Sequence, residues 1–137
     1  MSKPNILIVE ADILVRHPLA EFLRECGYRV LEAVDAGEAR TVLDDDATPI
    51  DVMLVDVGDG AGANFELTRW VRANRPGTRL LLAGTIATAT REAGELCAER
   101  PEIAKPYDHR QVHDQIRRLL AARDRQKQQD RATGAES

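Results

Sequence analysis

Asp51-Val52-Met53-Leu54-Val55-Asp56 sets four consecutive apolar residues between two carboxylates. No polar–apolar alternation runs through it, so neither face is patterned for water. A short apolar run of this kind reads as a strand covered on both sides, as in a parallel sheet. Ile6-Leu7-Ile8-Val9 and Leu80-Leu81-Leu82-Ala83 have the same character. Tyr28-Arg29-Val30-Leu31, continuing into Glu32-Ala33, is more mixed and reads as an edge strand; Ile103-Ala104 is a short fifth. The runs begin at residues 6, 28, 52, 80 and 103. That interval fits a strand, a helix and two tight loops, repeated as βα units.

Helical periodicity fills the gaps. Val15, Leu19, Phe22, Leu23 and Cys26 share one face and stop at Gly27, while Pro18 predicts a late start or a kink in the first turn. A short helix is predicted from Asp35 to Leu43, and a third around Phe65, Leu67, Trp70 and Val71, closed by Pro76-Gly77. Arg91 to Arg100 is a weak fourth. Asp108 and Gln111 form a capping box for the last, whose stripe is Val112, Ile116, Leu119 and Leu120. Five such units with right-handed crossovers give an α/β fold, a doubly wound open parallel sheet. The expected domain covers residues 1–123, with 124–137 a polar tail, a frayed helix end followed by disorder.

Composition narrows the function classes. At 137 residues with 43% hydrophobic and 31% charged residues, the chain reads as one globular domain. No apolar run approaches the ~18 residues of a membrane span, and no signal-peptide pattern precedes the first strand, so the expected location is cytoplasmic with no membrane contact. Cys26 and Cys97 sit apart in helical patterns, which suits a reducing compartment. The net charge of −4 is split: residues 1–60 hold 13 acids and 5 bases, residues 61–137 hold 10 acids and 14 bases. An acidic chain with five aromatics is a poor candidate for direct nucleic-acid binding.

In doubly wound sheets ligands bind beyond the carboxyl ends of the strands. Glu10 follows the first strand with Ala11 and Asp12 behind it, Asp56 ends the third, and Lys105-Pro106 follow the fifth. Carboxylates gathered at one mouth repel unless a cation or a proton joins them. Oxygen ligands with a nearby backbone carbonyl suit Mg²⁺. An aspartate can itself be a nucleophile and form an aspartyl phosphate, and Lys105 would supply a point charge to its oxygens.

Ile6-Leu-Ile-Val-Glu-Ala-Asp12, Asp51-Val-Met-Leu-Val-Asp56 and Lys105-Pro106-Tyr107, in this order, resemble the receiver domain of bacterial two-component response regulators over about residues 4–122. The resemblance implies a flavodoxin-like sheet of five strands in the order 2-1-3-4-5 with five flanking helices. It implies Asp56 as phosphoacceptor and Lys105 as the phosphate-bridging lysine. Mg²⁺ would be held by Glu10, Asp56, the Gly58 backbone and, as a further candidate, Asp12. It also implies a histidine kinase or phosphotransfer protein as donor, an unidentified downstream protein target, and pairing of receivers as a homodimer.

Several positions depart from the family pattern. Ala11 replaces the second acidic residue after the first strand, and Ala83 stands where the family has Thr or Ser, with Thr85 two residues on. Gly60 and Asn64 occupy the usual proline and glycine places, and Glu102 the aromatic switch position. The expected function is a stand-alone phosphoacceptor receiver signalling through protein contacts, with no effector domain. It is not an enzyme beyond slow self-phosphorylation and self-dephosphorylation. The alternative is a pseudo-receiver that binds partners without being phosphorylated. An unrelated aspartate-nucleophile hydrolase is a weaker third reading, because no carboxylate stands two residues after Asp56.

Overall fold

A computed structural model of the chain describes residues 3–57, 62–83, 102–103 and 108–132, the side chains of 102–103 and 130–132 excepted. The elements are β1 (Asn5–Val9), α1 (Ile13–Glu25), β2 (Arg29–Ala33), α2 (Ala36–Leu43), β3 (Val52–Asp56), α3 (Ala63–Asn74), β4 (Arg79–Ala83), β5 (Glu102–Ile103) and α4 (His109–Ala132). All four strand pairings are parallel and the sheet order is β2-β1-β3-β4-β5. The order implied by the resemblance is therefore the one found. The helix expected over residues 91–100 lies outside the described residues.

Strand periodicity divides the core into two layers. Ile6, Ile8, Val52, Leu54 and Leu81 point to one face, where they meet Leu19 and Leu23 of α1 and Val112 and Ile116 of α4. Leu7, Val9, Met53 and Val55 point to the other, against Leu43 of α2 and Leu67 and Val71 of α3. This explains the unbroken apolar runs: every residue of β1 and β3 through Val55 is buried. The β2 edge is mixed in exposure as in sequence.

Helix ends follow their caps. Asp12 caps α1 by accepting the Leu14 N–H at 2.9 Å. Pro18 lies inside α1, which begins at Ile13, so the helix does not start late. The missing proline N–H frees the Leu14 carbonyl, and Leu14 is 82% exposed, so water can serve that group. Gly27, at φ 102°, closes the helix, with its N–H on the Arg24 carbonyl. Asp35 caps α2 through the Glu38 N–H, and the Glu38 carboxylate returns to accept the Val34 N–H at 2.8 Å. On α4, Asp108 accepts the N–H groups of Arg110 and Gln111.

α4 continues to Ala132, past residue 123, where the polar tail was expected to begin. Arg125-Gln-Lys-Gln-Gln129 is polar, but each of these residues is a good helix former, so polarity alone was a poor sign of disorder. The stripe Val112, Ile116, Leu119 reaches Arg123, which pairs with Asp51 at the foot of β3 and fastens the helix to the sheet. Residues 133–137 lie outside the described residues. No helix among the described residues is long and apolar enough to cross a membrane.

Candidate functional site

β1 and β3 are adjacent and in register, Val9 beside Val55, so Glu10 and Asp56 emerge side by side at the carboxyl end of the sheet. Glu10 is 3% exposed; its carboxylate accepts the Asp12 N–H at 3.1 Å, and its own N–H donates to the Ala33 carbonyl. Asp56 is half-buried. Its carbonyl accepts the Asn64 side-chain amide at 2.8 Å, which ties the strand end to α3. On the other flank Ala83 pairs with Asp56, and the Ala83 carbonyl accepts the Val57 N–H at 2.8 Å. The strand-four position beside Asp56 thus carries a buried methyl and no hydroxyl.

β5 extends the same edge, with Ile103 beside Ala83. Lys105, Gly58 and Thr85 lie outside the described residues, as does the side chain of Glu102. Among the described residues no three His, Cys, Asp or Glu side chains form a metal-binding group. Asp12 is exposed and one of its oxygens is engaged by the Leu14 N–H. The carboxylates brought together are Glu10 and Asp56. A pair of carboxylates suits Mg²⁺, which keeps several waters and needs only one or two protein carboxylates.

The comparisons bear on this arrangement. No protein-family model matches the chain. The transcriptional regulatory protein AruR of Pseudomonas aeruginosa is 28% identical over 120 residues, 85% of this chain and 49% of its own length. The chain spans about half the length of the curated relatives it matches. The non-phosphorylated HemR receiver domain of Leptospira biflexa superposes with a TM-score of 0.68 at 25% identity, covering 86% of this chain and 94% of that one. A CheY-like receiver domain protein of Methanospirillum hungatei gives 0.75 at 21% identity, covering 91% and 99%. The chain has the fold of response regulator receiver domains, and the relatives it resembles in sequence are response regulators.

Sequence reasoning missed how the mouth of this site is braced. Arg16 of α1 is 7% exposed and donates from Nη1 to the Glu10 carbonyl at 2.8 Å and from Nε to the Glu32 carboxylate at 2.9 Å. It links the turn after β1 to the end of β2. His17 Nδ1 lies 3.1 Å from Glu32 and Arg24 Nη2 3.3 Å from it. A buried arginine opposite an acidic edge strand is visible in sequence only as an odd polar residue in an apolar helix pattern. Its partner sits 16 residues away.

Burial pushes the Glu32 carboxyl upward, but hydrogen bonds from Arg16 and His17 and the charges of His17 and Arg24 outweigh it, so it titrates below its ordinary 4.5. Its folded value being the lower one, its stabilisation is complete above about pH 4.5 and is lost as the pH falls through the folded value. The difference in unfolding free energy between wild type and Glu32→Gln should be constant near neutrality and shrink on acidification below that point, read by urea titrations at stepped pH. A difference that grows on acidification would contradict the assignment.

His109 and His113 lie against aromatic rings. His109 lies 5.4 Å from Phe22, and His113 lies 5.4 Å from Tyr28 at 81°. Trp70 packs as expected, with the Arg40 guanidinium 3.6 Å above its ring.

Proposed function

We propose that this receiver domain accepts a phosphoryl group on Asp56 in a two-component relay, acting in the cytoplasm and passing the signal on by protein contact. The observation that carries the reading is the register of β1 and β3, which aligns Glu10 and Asp56 at the carboxyl end of the sheet. The donor would be a histidine kinase or phosphotransfer protein, as receiver domains use. One Asp56 carboxylate oxygen attacks phosphorus in line, the new O–P bond forms, and the bond to the donor's leaving group breaks. Mg²⁺ bound by Glu10 and Asp56 would neutralise charge on the phosphoryl oxygens, and Lys105 would add a second positive charge. Asn64 fixes the backbone from which Asp56 projects. Self-phosphorylation from small acyl phosphates and slow self-dephosphorylation belong to the same reading.

The test is incubation with acetyl phosphate and Mg²⁺ followed by intact mass measurement. One phosphoryl increment, absent when Mg²⁺ is chelated, is the expected result. Ala83 supports a second reading, since the buried methyl beside Asp56 offers no hydrogen bond to a phosphoryl oxygen. A domain that takes up no phosphoryl group from any donor, and shows no Mg²⁺ binding, would instead be a phosphorylation-independent binding module.

A further inference from the structure

A cleft of about 630 Å³ opens at the opposite end of the sheet from Asp56, where β3 and β4 begin. Its walls come from the segments before β3 and β4 and from the later turns of α4. Ile50, Pro49 and Pro76 supply apolar surface, while Arg79, Arg123 and Lys127 supply positive charge. The size lies within the usual range for small-molecule sites, roughly 300–1,000 Å³.

Charge pairing within the cleft is incomplete. Asp51 is committed to Arg123 and to the Asn5 N–H, Asp45 accepts from the Ala47 N–H and the Thr48 hydroxyl, Asp46 lines the rim exposed to water, and Arg75 pairs with Asp44. Arg79 has no ion-pair or side-chain hydrogen-bond partner among the described residues, and its Nε is a buried donor without an acceptor. The Nε of Arg123 is likewise buried without a hydrogen bond. Lys127, one helical turn beyond Arg123, also lacks an ion-pair partner among the described residues. A partly buried guanidinium with nothing to donate to is an incomplete arrangement, and a planar oxyanion is its natural complement.

We propose that this cleft binds a small organic oxyanion, a carboxylate or phosphate group engaged by Arg79 and Lys127 and carried on an apolar body resting against Ile50 and Pro76. The site is independent of the phosphoacceptor: Arg79 and Ala83 stand at opposite ends of β4. Its occupancy therefore does not depend on whether Asp56 is ever phosphorylated.

Benzoate and phenyl phosphate are suitable probes, titrated separately into the ¹⁵N-labelled full chain and followed by amide chemical shifts. Saturable shifts at Gly77, Thr78, Arg79 and Lys127 are expected for at least one probe, and the tighter of the two identifies the headgroup. Affinity should fall about tenfold in Arg79→Gln, the loss of one charge-assisted contact, and should be unchanged in Asp56→Asn. Should Arg79→Gln fail to fold, the exposed Lys127→Gln carries the same test. Absence of saturable shifts with both probes would overturn the proposal. So would shifts that survive both cleft substitutions, or shifts confined to residues around Glu10 and Asp56.

Discussion

Asp56→Asn is expected to remove the entire phosphoryl increment that acetyl phosphate gives the wild-type domain. The substitution exchanges a carboxylate oxygen for an amide of nearly the same size, so the half-buried end of β3 keeps its shape and loses its nucleophile. The backbone around it is held independently of the side chain: the Asp56 carbonyl accepts from Asn64, and the Val57 N–H donates to Ala83. Intact mass, alongside a thermal melt showing that the variant remains folded, separates lost chemistry from lost structure. Glu10→Gln should give a graded effect, with labelling restored by raising Mg²⁺, because one of two candidate carboxylates remains. An undiminished increment in Asp56→Asn would place the phosphoacceptor elsewhere.

Arg16→Ala is expected to lower the unfolding free energy by about 2 kcal/mol, the size for removing a charge-assisted hydrogen-bond donor from a partly buried pair. Arg16 is 7% exposed, and its loss strips a donor from the Glu10 carbonyl as well as from Glu32. His17 and Arg24 remain within 3.3 Å of Glu32 and limit the damage. Arg16→Met keeps the aliphatic stem, so the difference between the two variants separates packing from hydrogen bonding. Urea titration at neutral pH reads both. A cost below about 1 kcal/mol for Arg16→Ala, the range of exposed pairs, would show that the brace is only a surface ion pair.

Much of the site's frame was legible because it depends on local pattern. Apolar runs in β1, β3 and β4 mark strands without reference to any partner, and the residues at their ends must then meet at one edge of a parallel sheet. Glu10, Asp56 and Ala83 were placed this way, and the register brings them together. Asp12 shows the limit of spacing. It stands one position late for the family's second acid, and one of its oxygens caps α1 through the Leu14 N–H. The end of α4 shows the limit of composition, since a polar segment of good helix formers folds once its preceding turns are anchored.

The linear chain by itself determined the succession of strands, the two-sided burial of the central strands, and the strand ends that carry carboxylates. These follow from hydrophobic period and turn residues within a few positions of one another. Only the tertiary structure decided which charges meet. Arg16 finds Glu32 across 16 residues, and Arg123 finds Asp51 across 72. Electrostatic partners are set by proximity in space and by how much water remains between them, quantities that exist only after the sheet has brought distant segments to one edge. The brace behind Glu10 and the basic cleft beneath β4 are both products of that assembly.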